Sequence, residues 1–273
     1  MKSSFSDWWL SAAVRGLGLV VRALPLSWVL AAGRGVGTLV YWGQPKRRAV
    51  GLNNLRAAWG GERSGEELAR ICRGSFQQLG MSFVEMLLTP AIDRGYVARW
   101  LTIEGREHLD QAVAQRRGVV LVTAHVGNWE LPNLAAGLLG YPMSVLARQQ
   151  GFPRLNRLLN RYRESKGCQV ISKGMAVRTM IRRLQQGGIV GMLADQDAGR
   201  HGELVPFFGR LASTATGPVA LALDVGCPIL PVVIRRTRGP AHTIVIEPPL
   251  AVTSCNVPPT VEAPSVTPSV SLT

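Results

Sequence analysis

Lysine is scarce in this 273-residue chain. Only Lys2, Lys46, Lys166 and Lys173 stand among 31 basic residues, so arginine carries the net charge of +14. Cysteine is scarce too. Cys72, Cys168, Cys227 and Cys255 lie far apart with no CxxC pair, which excludes a zinc ribbon and a disulfide scaffold. Free thiols suit a reducing compartment. There is no GxSxG and no P-loop, so neither a nucleophile-elbow hydrolase nor a Walker-type nucleotidase is indicated. The apolar amino-terminal stretch, residues 8–42, has no uninterrupted run of the roughly 20 residues a spanning helix needs. Arg15, Arg22 and Arg34 break it, Pro25 sits inside it, and its longest uncharged piece is 23–33. A cleavable signal peptide is not expected, because Lys2 is the one early cation and no A-x-A site follows. After Arg238 there is no Lys or Arg at all.

What is present is hydrophobic and basic. A charge of this size draws the chain to polyanions: nucleic acid, anionic lipid headgroups, or phosphorylated or acidic substrates. Nucleic acid is not expected as a partner, because the arginines are spread among apolar segments and no binding motif accompanies them. Residues 8–42 read either as a helical hairpin in contact with a membrane or as a buried helix pair. Trp8, Trp9, Trp28, Tyr41 and Trp42 suit a headgroup level, and membrane contact is the favoured reading. The cluster Lys46-Arg47-Arg48 would then face an anionic cytoplasmic surface.

Ser64 and Glu67 form a capping box that opens a helix over 64–88, ended by Pro90. Glu85 lies in its apolar part, either buried and paired or facing solvent. From residue 101 strands and helices alternate. Strands are expected at 101–103, 118–124, 143–147, 168–171, 189–193, 229–235 and, at an edge, 242–247. Helices are expected at 107–115, 130–139, 153–166, 175–186 and 216–225. This implies an α/β fold with a mixed, mostly parallel sheet flanked by helices, preceded by a membrane-associated helical segment. The expected division is 1–48 for that segment, 49–250 for the α/β domain, and 251–273 for a tail that Pro, Ser and Thr mark as disordered.

Two loops after buried strands carry polar groups. In the first, His125-Val-Gly-Asn-Trp-Glu130, a turn and the first turn of a helix could fold the carboxylate back onto the imidazole. The helix amino end and the Gly127 backbone would offer N–H donors to an oxyanion. The second runs from Ala194 through Asp195, Gln196 and Pro206-Phe207-Phe208-Gly209 to Arg210. A loop this long inside a compact α/β domain is usually functional. With no nucleophile in place, a His–Glu pair suits a base that activates the substrate's own hydroxyl.

His125-x4-Glu130 after an apolar strand, the Asp195-Gln196 and Pro206-Phe-Phe-Gly209 loop, and Gly226-Cys-Pro-Ile-Leu-Pro-Val-Val-Ile234 in that order resemble the bacterial lipid A biosynthesis (lauroyl/myristoyl) acyltransferase family. That family lies within the glycerolipid acyltransferase group with an H-x4-D/E motif. Asn54-Leu55, Phe76, Gly80 and Glu85 extend the resemblance upstream. It implies acyl transfer from acyl carrier protein or coenzyme A to a hydroxyl of a lipid A precursor, without cofactor or metal. His125 is then the general base, and Glu130 its orienting carboxylate. Arg148, Arg161 and Arg163 are expected to hold phosphates, with Asn156 beside them. Asp195 and Gln196 are expected to shape the acceptor site, and Arg210 joins the same substrate-binding set. His108, His201 and His242 are left structural. The implied place is the cytoplasmic side of the inner membrane. Another glycolipid or a lysophospholipid as acceptor, and an inert membrane-binding homologue, stay open.

Overall fold

The structure is a computed structural model that describes residues 4–147, 151–172 and 176–251. Arg148 and the Pro/Ser/Thr tail from residue 252 lie outside the described residues. Four helices come first: α1 (Ser4–Ala23), α2 (Leu26–Gly43), α3 (Pro45–Trp59) and α4 (Gly65–Leu87). The α/β part follows with α5 (Arg94–Trp100), β1 (Leu101–Glu104), α6 (Arg106–Ala114), β2 (Val119–Thr123), α7 (Glu130–Leu138), β3 (Met143–Ala147), α8 (Pro153–Glu164), β4 (Gln169–Ser172), α9 (Ala176–Gln185) and β5 (Ile189–Leu193). It ends with β6 (Glu203–Phe207), β7 (Arg210–Thr214), α10 (Gly217–Val225), β8 (Ile229–Arg238) and β9 (Ala241–Ile246). No helix of the described residues is long and apolar enough to cross a membrane.

The seven-stranded sheet runs β1-β9-β8-β2-β5-β3-β4, and β6 and β7 form a separate two-stranded ribbon. Every neighbouring pair in the large sheet is parallel except β8 and β9, which are antiparallel. β2 is central. Its run Val119-Val120-Leu121 is buried on both faces, as a parallel strand covered by helices must be. Val119 and Leu121 join one core cluster with Leu131 and Leu134 of α7. Val120 joins a second cluster with Met180 and Leu184 of α9 and Leu221 of α10. One expectation is corrected: β9 is no edge strand. It sits between β1 and β8, so His242 and Thr243 are buried. Its short length and a terminal position in the chain mimic an edge, but the return of β1 alongside it covers that side.

The capping box forms: the Ser64 hydroxyl accepts from the Glu67 N–H at 3.2 Å, and the Glu67 carboxylate accepts from the Ser64 N–H at 3.0 Å. α4 then crosses α2 at very close range. A Cβ on Gly80 would lie 2.2 Å from the Gly33 carbonyl oxygen, and one on Gly37 would lie 2.2 Å from that of Phe76. α1 is tied elsewhere. Its buried Asp7 accepts from the Arg154 and Leu155 N–H groups at 2.7 and 3.2 Å, satisfying the start of α8 from another helix.

Glu85 resolves as a buried, paired carboxylate. Both of its oxygens accept from Arg236 of β8 at 2.7 Å, and the Asn128 amide donates to it at 2.9 Å. The pair's side chains are 0% and 6% exposed. His242 and Tyr96 complete the cluster. The His242 Nδ1–H donates to the Pro240 carbonyl, and its Nε2 is without a partner 3.9 Å from Glu85. Burial, opposed by the Glu85 charge, holds the His242 pKa below its ordinary value of 6.5. Burial and the Glu85 charge push the Tyr96 hydroxyl up.

Two outcomes follow from this cluster. Glu85→Ala leaves Arg236 buried and unpaired and is expected to lower stability by about 3–5 kcal/mol in urea unfolding, while Glu85→Leu with Arg236→Met recovers most of the loss. The unfolded chain takes up a proton at residue 242 more readily than the folded one. The stability His242 contributes is therefore present above pH 6.5 and lost as pH falls below it. Between pH 7.5 and 5 the urea midpoint of the native protein should drop more than that of His242→Gln.

Candidate active site

β2 and β5 are adjacent, parallel and in register, pairing Thr123 with Leu193 at their carboxyl ends. His125 and Asp195 each stand two residues beyond that last pair. Parallel register therefore delivers them side by side at the carboxyl edge of the sheet, where open α/β folds place their ligands. The Asp195 carboxylate accepts twice from His125: from its backbone N–H at 2.8 Å and from its ring Nδ1 at 2.8 Å. An ionised carboxylate only accepts, so Nδ1 carries a proton, and in the neutral imidazole Nε2 is then the nitrogen with the lone pair. The two side chains are 33% and 32% exposed, reachable from solvent but held. The Trp129 ring stands edge-on to the imidazole at 5.0 Å.

The turn that carries His125 is fixed at three points. Asp195 grips its start. In the middle, Asn128 donates to Glu85, and the Gly127 carbonyl accepts from the Ser82 hydroxyl at 3.0 Å. Gly127 has φ +59°, and a Cβ there would lie 2.5 Å from the Ile234 carbonyl oxygen, so no other residue fits. At its end, Glu130 is the first residue of α7 and meets α8. Arg163 donates to it in bidentate fashion, Nε to Oε2 at 2.9 Å and Nη2 to Oε1 at 2.6 Å, and Arg163 Nη1 also donates to Asn160 at 3.1 Å. Burial works against the Arg163 charge, but the Glu130 bonds outweigh it and hold its pKa above the ordinary value.

The contacts differ from the sequence expectation. The H-x4-E spacing puts Glu130 against His125, but in the structure Asp195 bonds the imidazole. The sequence assigns Arg163 to phosphate, and in the structure its guanidinium is bonded to Glu130. The reason is geometric: residue 130 already belongs to the helix, whose first turn faces α8, whereas residue 195 leaves the neighbouring strand at the level of residue 125. The signal was in the sequence, in two apolar runs ending two residues before a His and an Asp. It needed the knowledge that those strands are adjacent.

The remaining residues are spread over two elements. Arg161 is exposed on α8. Asn156 is half-buried on the same helix, its N–H donating to Phe152. Gln196 is exposed beside Asp195, and Arg210 is exposed at the turn of the β6–β7 ribbon. That ribbon was read as loop, and the structure puts Pro206 and Phe207 in β6. The three cysteine thiols among the described residues are poor nucleophiles here. Burial, reinforced by the Glu130 charge, pushes Cys168 up to about 11, and burial also raises Cys72 and Cys227.

Comparison with known proteins bears on the family of the chain. The phosphatidylinositol mannoside acyltransferase of Mycolicibacterium smegmatis is 28% identical over 166 residues, 59% of this chain and 55% of the relative. That of Mycobacterium tuberculosis is 30% identical over 163 residues, 58% and 52%. The chain therefore spans about half the length of these relatives. The lipid A biosynthesis lauroyltransferase of Escherichia coli is 28% identical over 249 residues, 89% of this chain and 79% of the relative. The pattern of the bacterial lipid A biosynthesis acyltransferases matches residues 2–261, nearly all of the sequence, and the chain belongs to that family.

Proposed function

We propose that the protein is a membrane-associated O-acyltransferase that moves a fatty acyl chain from an acyl thioester to a hydroxyl of a lipid A precursor. The observation that carries the reading is the His125–Asp195 pair at the carboxyl edge of the sheet. Nε2 of His125 takes the proton of the acceptor hydroxyl as its oxygen attacks the thioester carbonyl carbon. Asp195 fixes the tautomer and stabilises the imidazolium that forms. The Glu130 and Leu131 N–H groups already donate to Asn128 and residue 132 is a proline, so the Gly127 N–H is the donor proposed to receive the charge that develops on the carbonyl oxygen. When the C–S bond breaks, the imidazolium returns the proton to the leaving sulfur. The acyl group passes directly to the acceptor, since among the described residues burial raises the pKa of each thiol rather than holding it as thiolate.

Acyl carrier protein and coenzyme A are the candidate donors. Both are acidic or phosphorylated and suit the exposed Arg161 and a chain of charge +14. Arg148 remains in the same proposed set, as do Asn156, Gln196 and Arg210. Residues 1–48 are the proposed membrane contact. α1 and α2 leave Phe5, Trp9, Leu19, Trp28, Leu39 and Trp42 exposed, all above half of their full area, and large apolar side chains gathered on two successive helices are the mark of an interaction surface. This supports a place on the inner face of the cytoplasmic membrane, with α1 and α2 lying in the headgroup region. The mycobacterial relatives favour a second reading, in which the acceptor is a phosphatidylinositol mannoside or similar glycolipid.

Membranes containing the protein should transfer radiolabelled acyl groups from acyl carrier protein or coenzyme A to lipid. His125→Ala and Asp195→Asn are each expected to lower kcat roughly a hundred- to ten-thousandfold with little change in KM, and Cys227→Ala to leave it unchanged. Undiminished transfer by the His125 variant would overturn the mechanism. Mass spectrometry of lipid A from a strain lacking the protein separates the acceptors: loss of one secondary acyl chain supports the first, an intact pattern the second. Arg163→Lys should fail to replace the bidentate arginine, lowering the urea midpoint as well as kcat, because the Glu130 end of the turn loses its fixed position.

A further inference from the structure

The β6–β7 ribbon is apolar on both faces. Its register pairs Leu204 with Ser213, Val205 with Ala212, Pro206 with Leu211 and Phe207 with Arg210. Successive side chains of a strand point to opposite sides. Leu204, Pro206 and Leu211 therefore share one face, and Val205 and Phe207 the other. All are exposed: Leu204 64%, Leu211 66% and Phe207 65%. A two-residue turn of Phe208 and Gly209 closes the ribbon with φ of +47° and +71°. Such turns favour Asn-Gly or Gly-Gly, and an aromatic at their first position is a costly choice for a connection that had only to reverse the chain.

We infer that this ribbon inserts shallowly into the acyl-chain boundary of an anionic lipid leaflet. A folded protein partner, or a second copy of the chain, would cover one face of a ribbon and leave the other in water. A fluid apolar medium covers both. The surrounding charges fit lipid. Arg210 stands opposite Phe207, and its long side chain can hold phosphates while its stem stays apolar. Trp59 at the end of α3 meets Phe208 edge-on at 5.2 Å, and the Arg63 guanidinium lies over the Trp59 ring at 5.8 Å. Tryptophan and arginine together mark a headgroup level. The one carboxylate of the ribbon, Glu203, stands at its base, farthest from the turn.

This inference rests on the acyltransferase reading and gives that site an address. Ribbon and base share one segment. Asp195 grips His125, only Gln196 follows before Asp197, and Asp197 accepts from the Gly199 N–H at 2.9 Å. Ala198 and Gly199 are then bonded to Ser213 across the foot of the ribbon, at 3.2 and 2.6 Å. Immersing the ribbon keeps the Asp195–His125 pair close to the leaflet, because the pair is joined to the ribbon's foot by this short bonded segment.

The test places nitroxide labels on the full chain at Phe207→Cys, Leu211→Cys and Leu39→Cys, each with Cys255→Ser. Collision with oxygen and with an aqueous nickel complex is read in the presence of phosphatidylglycerol–phosphatidylcholine vesicles. Labels at 207 and 211, on opposite faces, should both become shielded from nickel and open to oxygen. Shielding of only one face, with or without vesicles, points to a protein surface and overturns the inference. A label at 39 that is immersed while both ribbon labels stay in water overturns it too, and leaves the α1–α2 membrane contact standing. All three labels in water end both readings. Phe207→Ser with Leu211→Ser should weaken vesicle binding about ten- to a hundredfold. Its urea midpoint should stay native, because neither side chain is buried; unweakened binding would equally count against insertion.

Discussion

The Glu85–Arg236 pair is the contact on which the layout depends. Helix α4 belongs by position to the amino-terminal bundle and β8 to the sheet, and this buried bidentate pair joins them. Burying two charges is expensive unless every oxygen and N–H is used. Here the remaining capacity of the carboxylate goes to Asn128, and that of Arg236 to Gln78 and the Gly239 carbonyl. The desolvation cost thus secures more than one joint. It sets the helical bundle against the sheet and at the same time fixes the middle of the turn after β2.

Seen from the turn, the protein solves a positional problem. The proposed general base must be reachable yet must not wander. His125 is only one-third exposed and sits in a segment with no regular structure of its own. Its stability comes from three separate elements: the strand neighbour through Asp195, α4 through Glu85 and Ser82, and α8 through Glu130 and Arg163. Each uses a charged or polar side chain rather than apolar packing. Hydrogen bonds fix direction where dispersion contacts fix only distance.

Much of the fold was legible. Strands over Val-Val-Leu-Val-Thr and Ile-Val-Gly-Met-Leu, the capping box of Ser64 and Glu67, and the helix from Pro153 follow from local pattern, and local pattern is what a single sequence holds. The partners of His125 and Glu130 were not legible, because they depend on which strands are neighbours. His125 and Asp195 are 70 residues apart and meet only through parallel register. The place of β9 was hidden for the same reason: β1, nearly 140 residues earlier, covers it. The ribbon at 203–214 was not legible because its residues are apolar on both faces, so the alternation that marks a half-buried strand is missing.

Asp7 gives the amino terminus a mechanical part. Its carboxylate takes the first free N–H groups of α8, and α8 in turn carries Arg163 to Glu130 and the end of the turn after β2. The first helix and His125 are therefore in series, linked by stiff members: a carboxylate, one rigid helix of 12 residues and a bidentate ion pair. A tilt imposed on α1 from outside has a short path to the position of the turn.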